Sequence, residues 1–275
     1  MITEIFEPEE GYVISNGFKM HYLEWGRSGK MIVALHSMRL DAHAFDFISK
    51  SMSREYRVLA IDQLGHGDSA KSVTEVPLEQ HMEIIRGVVK ERNFSDLILI
   101  GHSLGGFITM IYASKYPREV SKMILVDIAP RDPLEQRARR GERPIIPEHF
   151  NSKEEAVKYF KNAYPKYSQE TVENRVNYAL YISSNGKLRW KANMKTLNML
   201  RETWNGFNFW PYVKKIEAPI LLIKGGESQS VSIETVERMK NTLKDFSIVE
   251  VEGAGHQILL DRPKEFENAV RNFIQ

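Results

Sequence analysis

Short, wholly apolar runs recur along the chain, separated by stretches in which apolar residues return every three or four positions. Met31–Leu35, Val58–Ile61, Leu97–Ile100, Met123–Val126 and Ile220–Ile223 have no polar face. That is the pattern of strands in a parallel sheet covered on both sides. Between them, Leu78, Met82, Ile85 and Val89 mark one helix, and Phe107–Lys115 a second. Others are expected around Ala44–Ser51 and Thr235–Leu243. A final helix carries Phe266, Ala269, Val270, Phe273 and Ile274 on one face, after a last strand at Ser247–Val251. Near the start, Tyr12–Ser15 and Phe18–Trp25 flank Asn16-Gly17, a strong hairpin signal. In the second of these strands Met20, Tyr22 and Glu24 alternate onto one side.

Strand and helix alternate over most of the length, which predicts an α/β fold around a mostly parallel sheet. The alternation stops between 131 and 212. No strand pattern is visible there. Ser152-Lys153-Glu154-Glu155 is a capping box opening a helix to Ala163. Pro165 ends it, a second helix is expected from Gln169 to Ile182, and a third from Met194 to Thr203. Ser183-Ser184-Asn185-Gly186 is a loop. The expected organisation is a core domain of residues 1–130 and 213–275, with a helical lid of residues 131–212 inserted at a strand's carboxyl end.

Ligands of such sheets bind at the carboxyl ends of the strands. The chemistry-bearing residues fall there: His36, Asp62, Ser103, Asp127, Gly225-Gly226-Glu227 and His256. Gly101-His102-Ser103-Leu104-Gly105 is a Gly-x-Ser-x-Gly sequence with an apolar strand before it and a helical pattern after it, the setting that a nucleophilic serine turn requires. A serine hydroxyl needs a base to take its proton. His256, on the Gly253-Ala254-Gly255-His256 loop after the last strand, is the candidate. His102 lies on the other side of the turn and reads as packing. His36, His43 and His66 belong to loops. The imidazole in turn needs a carboxylate. Asp127 and Glu227 both end strands and both fit the order serine, acid, histidine, so two candidates compete. Oxyanion donors are expected at the backbone N–H of Leu104 and of Met38.

Charge narrows the alternatives. The 38 basic and 36 acidic residues leave a net charge of +2, with no basic stripe for nucleic acid. There is no cysteine, so disulfides and thiolate chemistry are excluded, and no metal-ligand spacing such as His-Glu-x-x-His is present. The stretch Met1–Glu10 lacks the apolar core of a secretory signal. No run approaches the ~18 apolar residues of a membrane span. A cytoplasmic protein is expected, acting without metal or cofactor on a small molecule. Nothing in the sequence fixes an oligomeric state.

Gly101–Gly106, Asp62-Gln63-Leu64-Gly65-His66-Gly67-Asp68-Ser69 and Gly253–His256 together resemble the α/β-hydrolase family. The resemblance runs over nearly the whole chain outside 131–212. It implies an eight-stranded, mostly parallel sheet flanked by helices, with a cap inserted after the sixth strand. It also implies Ser103 as nucleophile, His256 as base, and Met38 and Leu104 as oxyanion donors. Two positions depart from the family pattern. Ser37 stands where glycine usually follows His36, and Ser228 where the acid usually lies, three residues after Gly225. Asp127 at the end of the sixth strand resembles the acid of a subgroup of small serine esterases, and that resemblance favours it over Glu227. The implied activity is carboxylic-ester hydrolysis, with carbon–carbon bond hydrolysis or lactone opening as alternatives on the same residues. A small-molecule receptor that kept the fold is the alternative of another class. His36, Ser37, His102, Trp190, Trp204 and Trp210 are expected near a substrate pocket.

Overall fold

The computed structural model describes residues 7–72, 74–131, 146–204 and 206–275. Residues 1–6, used in the leader argument, and 132–145, the first part of the expected lid, lie outside the described residues.

The Asn16-Gly17 turn, with both residues at positive φ, joins β1 (Glu9–Ser15) to β2 (Phe18–Trp25). Then follow β3 (Met31–Leu35), α1 (Asp46–Met52), β4 (Arg57–Ile61), α2 (Leu78–Glu91), β5 (Leu97–His102), α3 (Leu104–Lys115) and β6 (Val120–Val126). The pattern returns with β10 (Ile220–Gly225), α8 (Ile233–Thr242), β11 (Phe246–Val251), α9 (Ile258–Asp261) and α10 (Pro263–Ile274). The eight strands form one sheet in the order β1-β2-β4-β3-β5-β6-β10-β11. β1, β2 and β4 pair antiparallel, and from β4 to β11 every pairing is parallel.

The apolar runs are apolar throughout because their alternate residues feed two cores. Val33, Leu35, Leu99, Leu125 and Leu222 face α2 and α3. Ile32, Ala34, Ile100, Ile124 and Ile223 face α1 and α10. β2 departs from the one-sided alternation expected of it: Met20 to Trp25 is buried on both faces. Met20 and Tyr22 join one core, Leu23 and Trp25 the other. Glu24 is buried and accepts from Arg57 and Arg92, which supply its missing solvation.

The segment between β6 and β10 corrects the expectation of an all-helical insertion. It contains α4 (Lys153–Ala163), α5 (Gln169–Tyr178), α6 (Met194–Trp204) and α7 (Trp210–Val213). It also holds a small antiparallel sheet of β7 (His149–Phe150), β8 (Leu180–Ile182) and β9 (Leu188–Trp190). The second helix stops at Tyr178, and Leu180–Ile182 is a strand. Strands of two or three residues are too short to display a period of two. The Ser183–Gly186 loop is their hairpin turn, with Ser183 N–H bonded to Lys187 C=O at 2.8 Å. Phe150, Ala156, Phe160, Val172, Val176 and Leu180 form a core of the segment's own. Leu200, Trp210 and Val213 instead join the α2–α3 core.

Asp62, at the end of β4, ties several of these parts together. Its Oδ1 accepts from Ala42 N–H at 2.7 Å. Its Oδ2 accepts from Asp68 N–H at 2.8 Å and from His21 Nδ1–H at 2.7 Å. A Cβ on Gly67 would lie 1.9 Å from that oxygen, so glycine is required there. Burial alone would raise the Asp62 carboxyl, but its bond to and the charge of His21 hold it below its ordinary value. Burial alone would lower His21, but the Asp62 bond and charge raise it above its ordinary 6.5.

The signs give a pH window. A depressed carboxyl stabilises above its unfolded pKa of 3.8, and that contribution is lost as pH falls through the folded value. A raised histidine stabilises below its unfolded 6.5, and that is lost as pH rises through its folded value. Asp62→Ala is therefore expected to cost about 3–5 kcal/mol at about pH 5.5. Urea denaturation should show a smaller gap from wild type at about pH 9 than at about pH 5.5, because the His21 proton that pairs with Asp62 is lost as pH rises through its raised folded value.

Candidate active site

The turn between β5 and α3 is built around close approach. A Cβ on Gly105 would stand 2.1 Å from Leu35 C=O of β3, and one on Gly101 would stand 2.6 Å from Gly106 Cα. With no room to splay, the chain reverses at Ser103, which takes φ 51° and ψ −108°. That conformation is costly for a residue with a side chain. It is held by Ser103 N–H to Val126 C=O at 3.2 Å and by Gly106 N–H to Ser103 C=O at 3.0 Å. Ser103 is half-buried, and among the described residues its hydroxyl has no hydrogen-bond partner. The backbone N–H of Leu104, in the first turn of α3, likewise has no acceptor among the described residues, and neither has Met38 N–H. Orphan amides at a helix start favour negative charge.

Met38 belongs to the loop after β3, which buried histidines hold in place. His36 is fully buried; its Nδ1–H donates to Ser37 C=O at 2.8 Å and its Nε2 accepts from Gln63 N–H at 3.0 Å. Burial lowers its pKa, so it stays neutral. The edge of His66 packs on it at 4.9 Å. Ser37 is 3 % exposed, so a residue expected near substrate is buried under the loop. The far end of the loop is clamped by Asp41, whose two carboxylate oxygens accept from Arg175 of α5 at 2.8 Å each.

Asp127 follows β6 with a positive φ of 49° and is fully buried. Its Oδ1 accepts from Gly225 N–H at 3.0 Å. Its Oδ2 accepts from His256 Nδ1–H at 2.6 Å and from the Ser228 hydroxyl. Burial would raise the carboxyl, but the bond to and charge of His256, helped by Ser228 and Gly225, hold it below the usual range. Ser230 Oγ lies 3.0 Å from the same His256 nitrogen. His102 donates from Nε2 to the carbonyl of His256 at 2.8 Å, which fastens the histidine loop to the Ser103 turn. Burial, then the neighbouring His256, pushes His102 down to about 3, so it remains neutral.

The structure thus brings Asp127, and not Glu227, to His256. Glu227 is exposed and pairs with Lys166. Ser228 and Ser230 were not singled out as contacts of this group. The signal available was the count from Gly225, which lands on Ser228.

The tryptophans separate. Trp210 corrects the pocket expectation: it is 2 % exposed, packed in the core under Arg238. Trp190 packs edge-on against Phe150 and Phe160 in the segment's own core, and its Nε1–H donates to Pro147 C=O. Trp204 is half-buried beside Phe107, four residues past Ser103. Among the described residues His21, Asp62 and Asp68 are close enough to share a cation. His21 and Asp62 are bonded to each other, however, and Asp68 pairs with Lys191.

A family model for the alpha/beta hydrolase fold matches residues 30–263. The chain belongs to the alpha/beta hydrolase fold family. The expected family and its mostly parallel sheet are therefore both found. Similar hydrolases include the 2-(acetamidomethylene)succinate hydrolase of Mesorhizobium japonicum, 26 % identical over 90 % of this chain and 88 % of that one. Another is the 2-hydroxy-6-oxo-6-(2'-aminophenyl)hexa-2,4-dienoic acid hydrolase of Metapseudomonas resinovorans, 24 % identical over 96 % of this chain and 90 % of that one. The crystal structure of E-2-(acetamidomethylene)succinate hydrolase superposes with a TM-score of 0.86 at 23 % identity, covering 97 % of this hydrolase-fold chain and 99 % of that one. The thioesterase domain from the curacin biosynthetic pathway gives 0.80 at 21 % identity, over 96 % and 99 %. Likeness at those identities is likeness of fold. No helix among the described residues is long and apolar enough to cross a membrane.

The strain at Ser103 has a measurable consequence. Glycine at 103 relieves a conformation worth about 1–3 kcal/mol and adds about 0.5–1 kcal/mol of unfolded-state entropy. Ser103→Gly is expected to be more stable than wild type by about 1 kcal/mol in thermal or chemical unfolding, and Ser103→Ala is not.

Proposed function

We propose that this protein is a serine hydrolase of carboxylic esters, working through an acyl-serine intermediate. The observation that carries the reading is the 2.6 Å bond from His256 Nδ1–H to a buried carboxylate of depressed pKa. That bond fixes the imidazole tautomer, leaving Nε2 as the basic nitrogen. In this reading Ser103 attacks the ester carbonyl and His256 Nε2 takes the hydroxyl proton. The oxyanion is met by the N–H groups of Leu104 and Met38, which have no other acceptor among the described residues. One such donor contributes about 3 kcal/mol to the barrier. The protonated imidazole, its charge balanced by ionised Asp127, gives its proton to the leaving alkoxide. His256 then draws a proton from water as water attacks the acyl group, and Ser103 is regenerated. Asp127 is the acid of this set, Ser228 and Ser230 steady it, and residues 131–212 are the lid. Trp204 beside Phe107 is the aromatic residue best situated to touch substrate.

A second reading keeps the same three side chains and cleaves a carbon–carbon bond. Its support is the full-length similarity to the Metapseudomonas hydrolase of a dienoic acid.

Short p-nitrophenyl esters test the first reading. Ser103→Ala should lose turnover to background, and Asp127→Asn should lose about 10⁴-fold in kcat, the scale of a wrong tautomer. Glu227→Gln should stay within about twofold, since Glu227 is itself exposed and its ion pair with Lys166 reaches solvent. Equal rates for wild type and Ser103→Ala would end the proposal. A large loss confined to Glu227→Gln would move the acid.

A further inference from the structure

We propose that Arg39 recognises a carboxylate on the substrate, so that the preferred ester carries an acid group besides the bond to be cleaved. This rests on the reading of the site as an ester hydrolase and adds the substrate's class.

Arg39 directly follows Met38. Its φ is 68°, a left-handed conformation that a long side chain rarely adopts. Such strain persists where the surroundings over-determine it. Here Leu40 N–H closes a turn onto Ser37 C=O at 3.1 Å. Asp41 is gripped by the buried Arg175 guanidinium. The loop is therefore pinned on both sides of Arg39, which fixes the point its side chain starts from.

Among the described residues, the place around Arg39 holds donors without partners. Arg39 is half-buried, yet among the described residues its guanidinium makes no hydrogen bond and no ion pair. Its charge acts on the hydroxyls of Tyr159, on α4, and Tyr167, just before α5. Neither hydroxyl has a hydrogen-bond partner among the described residues. Burial raises both, so both keep their protons and can donate. Asp261, a carboxylate that also acts on Tyr167, accepts from Gly255 N–H at 2.8 Å. Tyr164 stacks on Tyr167 at 4.7 Å and stiffens that wall. A half-buried guanidinium fork with two phenolic O–H groups is completed by a planar anion, which a carboxylate matches in charge and geometry. Arg39 stands one residue from the Met38 N–H, so one substrate molecule can reach both groups.

The test is a matched pair of esters, p-nitrophenyl butyrate and p-nitrophenyl hemisuccinate, which differ by a terminal carboxylate. Wild type should prefer the hemisuccinate in kcat/KM. The ratio of the two should fall at least tenfold in Arg39→Met and Arg39→Gly, and less in Arg39→Lys, which keeps the charge but not the fork. Arg39→Gly relieves the backbone strain, so a folding failure of Arg39→Met leaves the test intact. An unchanged ratio in Arg39→Met and Arg39→Gly overturns the proposal. A second arm needs no turnover: succinate should raise the melting temperature of Ser103→Ala and not of Ser103→Ala/Arg39→Met. If neither ester is cleaved while the succinate shift depends on Arg39, the ester reading falls and the carboxylate site stands. If esters are cleaved and the succinate shift ignores Arg39, the carboxylate site falls alone.

Discussion

The contact between the carbonyl of Leu35 and the backbone of Gly105 governs this molecule. It sets α3 so close to the end of β3 that the chain can pass only through a reversal at Ser103. At the reversal, among the described residues, the serine hydroxyl has no hydrogen-bond partner and the amide of Leu104 no acceptor. The same approach brings the loop carrying Met38 alongside, through Gly105 N–H to His36 C=O at 3.2 Å. A strained residue, and two amides and a hydroxyl without partners among the described residues, therefore share one cause. Two neighbouring apolar strands and a helix are packed too tightly to allow any other route.

Asp127 repeats the theme at the next strand end, again in a left-handed conformation. Its carboxylate is buried, yet every interaction around it favours charge: an amide, a hydroxyl and an imidazole N–H. Buried carboxylates without such partners would take up a proton. His102 adds a mechanical link, since its buried ring holds the backbone of the residue whose side chain meets Asp127.

The segment between β6 and β10 is held differently. Much of its apolar surface is satisfied internally. Toward the rim of the sheet it relies on charge: Arg175 with Asp41, Lys191 with Asp68, and Lys166 with Glu227. Each core partner sits on a loop at the carboxyl edge. The Arg175 pair is the buried one, so breaking it would strand an ion away from water, whereas the carboxylates of the two lysine pairs are exposed and those pairs are weaker.

Element order was legible because periodicity is local. Runs such as Leu97–Ile100 and Met123–Val126 announce buried strands from a few residues, and the glycines around Ser103 announce a tight turn. The chemical types at the strand ends were legible for the same reason. Short strands such as Leu188–Trp190 were not, because three residues carry no period. Nor did composition distinguish Trp210, sealed in the core, from Trp204 at its edge. Chain order alone left open which carboxylate meets His256, since Asp127 and Glu227 both end strands in the right order; the family resemblance favoured Asp127, the one found there. That choice depends on loop dihedrals and on a lysine contributed from 61 residues away, which drew Glu227 outward. Local pattern is enough to say which groups stand at the sheet's edge. Which of them touch is set by the folded packing, because contact joins segments that share no local pattern.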